Sequence, residues 1–208
     1  LYNITATLTK NKQPVDRIYD RFGVREYYID SEKGFFLNGK SYPLHGVSRH
    51  QDRAGVGNAL TKEMHENDMD IILSMGANSI RLAHYQHDNY FYELCDEKGV
   101  IVWAEIPYIT IHMPTARENT ISQMKELITQ NYNHPSIICW ALSNEITLQG
   151  VTDDLIENHK ILNDLVHEMD KSRLSAMANL FMLETDSPLI TLPDLRGYNL
   201  YYGWYVGD

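Results

Sequence analysis

Cysteine is scarce in this 208-residue chain, which carries only Cys95 and Cys139. Two thiols with no C-x-x-C pair build neither a disulfide framework nor a zinc site, so both are read as buried and reduced. Basic charge is also short: 18 Lys and Arg stand against 28 Asp and Glu, a formal net charge of −10. With no local basic patch, that balance repels phosphate backbones and anionic lipid heads, so no nucleic-acid partner is expected. No apolar run approaches the ~20 residues that span a bilayer, and the first residues lack the pattern of a signal peptide. The chain reads as soluble with no membrane partner, or as a piece of a protein whose targeting segment lies elsewhere. No glycine-rich phosphate loop follows an apolar run, which counts against a nucleotide-binding sheet.

What is present begins with alternation. Tyr2, Ile4, Ala6 and Leu8 interleave with Asn3, Thr5, Thr7 and Thr9, the period of a half-buried strand. A turn over Asn11-Lys12-Gln13-Pro14 leads to a second extended run through Val24. Two strands cannot bury a core alone, so residues 1–27 read as the last strands of a β-sandwich. From Tyr28 the pattern changes, starting with a hairpin around Asn38-Gly39. Strands are then expected over 44–49, 78–82, 100–106, 137–144, 174–180 and 198–202. Helices are expected over 61–75, 89–98, 118–131 and 152–169, from Thr61 and Thr152 as caps and Gly76 and Gly99 as stops.

Strand-helix-strand repetition implies parallel strands with right-handed crossovers, which an open sheet or a closed barrel would both satisfy. Polar residues at the strand ends decide between them. His50 and Gln51, His84, Glu105, and Asn144-Glu145 each close a strand, as expected of the catalytic face of an α/β TIM (β/α)8 barrel. Trp140 is placed among the barrel's inner layers, and Trp204 as a platform on which a sugar could stack.

The run Asn133 to Glu145 is the most informative. An apolar strand delivers an amide and then a carboxyl to its rim, and low-dielectric walls favour the protonated form that a general acid needs. A strand-end Asn-Glu that merely caps the next helix is the alternative. Arg81 interrupts Ile80, Leu82 and Ala83 inside a strand, where a guanidinium is costly without an anion. Glu105 or Asp96 could supply that anion locally.

With these segments in view, the chain resembles glycoside hydrolase family two, specifically its β-galactosidase branch. The matching runs are Gly46-Val47-Ser48-Arg49-His50, Ile80-Arg81-Leu82-Ala83-His84-Tyr85, Asn133-His134-Pro135 and Ser143-Asn144-Glu145. The resemblance implies an immunoglobulin-like sandwich ending at residue 27 and a TIM barrel over 28–208, truncated after its sixth strand. It implies that Glu145 is the catalytic acid/base and Asn144 the partner of the sugar 2-hydroxyl. His50 and His84 would flank the sugar ring, and Tyr201, with Tyr202 one register away, would be the sixth-strand tyrosine beside the nucleophile. Arg81 would support that nucleophile, a Glu on a seventh strand; no Glu follows Glu184 here.

The implied activity of the intact protein is retaining β-galactosidase action on terminal β-galactosides, the 208 residues alone being inactive. Within the family, β-glucuronidase is the alternative, and the Arg49-His50-Gln51 run is what tips the reading to galactosidase. A non-catalytic carbohydrate-binding scaffold is the alternative from another class. Oligomerisation of the parent is left open. No cofactor is expected: magnesium-using β-galactosidases carry Glu-x-His after the third strand, where this chain reads Thr110-Ile111-His112 and lacks one carboxylate ligand.

Overall fold

The computed structural model describes residues 1–205 and 207. Strands β1 (Tyr2–Lys10) and β2 (Gln13–Phe22) form an antiparallel hairpin. Its turn is tighter than the sequence indicated: Asn11 and Lys12 take positive φ of 52° and 64°, and Gln13 and Pro14 already belong to β2. The hairpin meets the rest of the chain where β2 ends. A Cβ on Gly23 would stand 2.6 Å from Pro135 Cγ, so only glycine allows that approach.

A second, three-stranded sheet follows from β3 (Tyr27–Asp30), β4 (Gly34–Leu37) and β5 (Lys40–Ser41), with Asn38 and Gly39 turning at φ 50° and 73°. Tyr27, the last residue of the expected first segment, is thus the first residue of β3. This sheet closes the N-terminal end of the barrel strands: Phe35 packs with Ile101, Ile138 and Cys139, and the Tyr27 hydroxyl donates to the Ile138 carbonyl at 2.6 Å.

The third sheet contains β6 (Gly46–Arg49), β7 (Ser79–Leu82), β8 (Ile101–Glu105), β9 (Ile137–Asn144), β10 (Leu174–Leu180) and β11 (Leu195–Asn199), all parallel and adjacent in chain order. It curls. Arg81 on β7 reaches Asn199 on β11 at 3.0 Å, although three strands lie between them. This is a partial TIM barrel. The helices α1 (Lys62–Ser74), α2 (Asn89–Lys98), α3 (Arg117–Asn131) and α4 (Asp153–Met169) cover its outer face. Thr61 and Thr152 cap α1 and α4 by accepting from the third helical N–H, and Gly99 closes α2 in the left-handed region at φ 71°. Between sheet and helices lies the main core, including Met69, Phe91, Tyr92, Leu127, Trp140 and Leu162.

Two expectations are corrected here. Trp140 does not enter the barrel interior; it faces the helices, and its Nε1 donates to Asp170 Oδ2 at 2.9 Å. The sixth barrel strand spans Leu195–Asn199 rather than 198–202. Aromatic propensity drew the expectation toward Tyr198 to Tyr202, but the strand is set by Asp194, whose Oδ2 accepts from Ser175 N at 2.8 Å and brings Leu195 level with Ala176. Tyr201 and Tyr202 therefore lie beyond the strand.

Candidate active site

The C-terminal ends of these strands converge on one hydrogen-bonded network. At its base is Glu105, fully buried at the end of β8. Its Oε1 accepts from Arg81 Nε at 3.0 Å and lies 2.9 Å from His84 Nδ1, while Oε2 accepts from Arg81 Nη2 at 3.0 Å. The bidentate geometry supplies the part-buried guanidinium with its anion. Of the carboxylates open to Arg81 in the sequence, the structure brings up Glu105, whereas Asp96 binds His134 and Ser136.

Arg81 directs two more of its N–H groups to amides. Nη1 donates to Asn199 Oδ1 at 3.0 Å and Nη2 to Asn144 Oδ1 at 2.6 Å. Asn199 then turns its Nδ2 toward Asn144 Oδ1 (2.9 Å) and Glu145 Oε1 (2.7 Å). Tyr201, half-buried after β11, donates its hydroxyl to the same Glu145 Oε1 at 2.8 Å. Burial, followed by the bond to Glu145 and that residue's charge, raises the phenol's pKa and keeps the hydroxyl a donor.

Glu145 itself takes a left-handed backbone, φ 48°. For a non-glycine residue this costs about 1 kcal/mol, and such outliers persist where surrounding bonds over-determine them. Here Glu145 N donates to Ala178 O at 2.8 Å on β10, while the Asn144 carbonyl accepts from Thr110 N at 3.0 Å. Behind the rim, buried Ser143 bonds to His159 at 2.8 Å. Burial holds that imidazole well below its ordinary pKa, at about 4.

His50 is exposed at the end of β6 and meets the His84 ring edge-on at 5.0 Å, so the two histidines line one side of the network. Tyr202 and Trp204 are exposed, with no side-chain hydrogen bond to this cluster among the described residues. Glu105 and Asn199 are the members that sequence reasoning missed as site residues. Glu105 was legible as a polar strand end, but Asn199 carried no such signal, because its strand was placed three residues too late.

His112 is held by protein partners. Its Nδ1 meets the Tyr108 hydroxyl and its Nε2 meets Asp154, each at 2.5 Å, and Thr110 brings no carboxylate. Among the described residues no three His, Cys, Asp or Glu side chains are grouped to hold a metal, and no helix is long and apolar enough to cross a membrane.

Comparisons with known proteins agree with this architecture. The family model described as "Glycosyl hydrolases family 2, TIM barrel domain" matches residues 29–207. The β-glucuronidase of Bacteroides fragilis is 42% identical over 214 residues, covering 99% of this chain and 30% of that protein. The β-galactosidase of Thermoanaerobacterium thermosulfurigenes is 33% identical over 175 residues, covering 83% and 24%. The crystal structure of an FMN-binding β-glucuronidase from Facaelibacterium prausnitzii L2-6 superposes with a TM-score of 0.95 at 46% identity, covering 99% of this chain and 32% of that one. The chain spans less than a third of the length of these proteins.

Proposed function

Because this chain belongs to glycoside hydrolase family 2, we propose that it supplies the acid/base half of the active site of a retaining exo-β-glucuronidase. The observation that carries the glycosidase reading is the asymmetry of the Glu145 carboxyl. Oε1 accepts from both Asn199 and Tyr201, while Oε2 has no protein partner among the described residues. Oε2 is the oxygen that delivers a proton to the glycosidic oxygen and later withdraws one from water. Asn144, with its carbonyl held by Arg81 and Asn199, offers its N–H groups to the sugar 2-hydroxyl. The attacking carboxyl of a double displacement is a second Glu on a seventh barrel strand. Glu105 is unsuited to that part, since Arg81 and His84 occupy it. Strands β1 and β2 then end a preceding sandwich domain.

Glucuronide is favoured over galactoside as substrate for two reasons. The relative named a β-glucuronidase is 42% identical, against 33% for the one named a β-galactosidase. In addition, the Arg49-His50-Gln51 run that favoured galactoside does not read a sugar through its arginine. Arg49 is buried, donating to Asp68 at 2.8 Å and lying 3.0 Å from His65 and His87. No metal is required in this reading, and exhaustive chelation is expected to leave turnover unchanged.

The test is a matched pair of aryl β-glucuronide and aryl β-galactoside offered to the full-length protein. The glucuronide is expected to be preferred by about 100-fold or more in kcat/KM. A reversed preference would return the assignment to β-galactosidase, and turnover of neither would favour the non-catalytic scaffold.

A further inference from the structure

Donor and acceptor polarity in this network is not free to vary, and its origin can be traced. Glu105 is a carboxylate and only accepts, so the ring nitrogen 2.9 Å from it, His84 Nδ1, must carry the proton. Arg81 Nη2 lies 3.2 Å from the same nitrogen but is itself a donor, so that contact is not a hydrogen bond. His84 Nε2 is then a bare acceptor. The second branch runs through Arg81, which Glu105 grips with two parallel bonds. Arg81 and Asn199 together fill both lone pairs of Asn144 Oδ1, which leaves Asn144 Nδ2 as the group without a partner among the described residues.

We infer that Glu105 is a positioning residue that writes the hydrogen-bond code of the sugar pocket: it makes His84 Nε2 an acceptor for a substrate hydroxyl and, through Arg81, makes Asn144 Nδ2 a donor. The carboxylate touches no substrate. It has no exposed surface, and each of its hydrogen bonds ends on a residue of the rim. A neutral isostere at 105 removes one acceptor from a site where three donors converge, so the Arg81 fork and the His84 proton cannot both be kept. Asn144 is then released to turn its amide.

This inference rests on the glycosidase reading of the same site, and the experiment separates the two. The full-length protein and its Glu105→Gln variant are compared on the preferred aryl glycoside and on its 2-deoxy analogue. In the unsubstituted protein, loss of the 2-hydroxyl is expected to lower kcat/KM by about 100-fold or more, because the Asn144 donor is left unpaired. In Glu105→Gln the same deletion should cost about tenfold or less, with kcat reduced more than KM is raised. A general loss of structure would depress both substrates alike, so an unchanged 2-deoxy penalty overturns the inference. Should Glu105→Gln fail to fold, nitrogen-resolved NMR of the unsubstituted protein with labelled histidine decides. His84, assigned by the signal lost in His84→Gln, is expected to carry its proton on Nδ1, and a proton on Nε2 overturns the inference. Absence of turnover by the unsubstituted protein on either sugar would overturn the functional reading instead, and the NMR measurement would still decide the His84 half.

Discussion

The two ends of the barrel strands each hold an arginine paired with a fully buried carboxylate, and the arginines do different work. At the N-terminal end Arg173 pairs with Asp170 at 2.7 Å and then donates to three main-chain carbonyls, those of Tyr132, His134 and Ile137. Its plane also lies 5.2 Å from the Trp140 ring. At the C-terminal end Arg81 makes an equally good ion pair with Glu105, but its other bonds go to side chains, Asn144 and Asn199, which in turn hold Glu145. An arginine that ends on backbone fixes where strands and turns lie. One that ends on side chains fixes which way those side chains point. The Asn133-His134-Pro135 motif belongs to the first class: His134 is bound by Asp96 at 2.6 Å, and Pro135 and His134 offer their carbonyls to Arg25 and Arg173.

The largest expected effect lies at the C-terminal rim. Glu145→Ala in the full-length protein should slow hydrolysis of substrates with alkyl or sugar aglycones by about 1,000-fold, while glycosylation by activated aryl substrates, which need no acid, is largely spared. Azide should restore turnover of the aryl substrate and yield a product of β configuration, since a small anion needs no deprotonation. An α-configured azide product would make Glu145 the nucleophile, and the rim would have to be rebuilt around another acid.

Next come the two arginines, compared directly. In the molecules that fold, Arg81→Met should lower kcat/KM by about 100-fold or more, because the rim amides and Glu145 lose their alignment, and by stranding the fully buried Glu105 it also costs stability. Arg173→Met should likewise cost stability, about 3–5 kcal/mol by stranding Asp170, but with near-normal kcat in the molecules that remain folded. Chemical denaturation and kinetics on both variants check this. Equal losses of activity in the folded molecules of the two variants would dissolve the distinction between the barrel's ends.

How far the sequence exposes this difference depends on the kind of signal each residue leaves. The helices were legible because capping is local chemistry: Thr61, Thr152 and Gly99 act within one turn of themselves. Asn144 and Glu145 were legible because a polar pair ends an otherwise apolar strand. Trp140 was misplaced because every residue of β9 is buried, so its two faces carry no alternation to separate inside from outside. Asn199 was missed for a topological reason. Its partnership with Arg81 exists only because the sheet curls through five strands, and no periodicity across a separation of 118 positions encodes that meeting.

A smaller effect separates the two ends by pH. His87 and His159 are held neutral by burial, with pKa values lowered to about 3 and about 4. Because their folded values lie below the unfolded value near 6.5, the stability they contribute is complete above that pH and is lost as pH falls toward the folded values. For His159, which supports Ser143 behind the rim, the loss is on the order of 3 kcal/mol. Burial pushes Asp170 upward, but bonds from Ser172, Arg173 and Trp140 outweigh it and hold the carboxyl at about 2. Its contribution is therefore present above about pH 4 and disappears between there and about pH 2. Acid should weaken the rim's support first and the opposite end later. Denaturation midpoints at pH 7, 5 and 3 should show two successive losses, and His159→Gln should flatten the first. An unchanged slope in that variant would remove His159 from the account.

The smallest effect isolates one bond. Tyr201 donates to Glu145 Oε1 alongside Asn199, so Tyr201→Phe leaves the carboxyl with one donor rather than none. When Glu145 has given up its proton the bond becomes charge-assisted and strengthens, so its loss is felt as proton transfer proceeds rather than on substrate binding. For substrates with poor leaving groups, kcat should fall about tenfold with little change in KM, the expected worth of one such bond. For activated aryl substrates the glycosylation step should be unaltered. An equal loss on both substrate classes would mean that Tyr201 shapes the pocket by packing against Tyr205, 5.1 Å away between ring centres, and that Asn199 alone orients the acid.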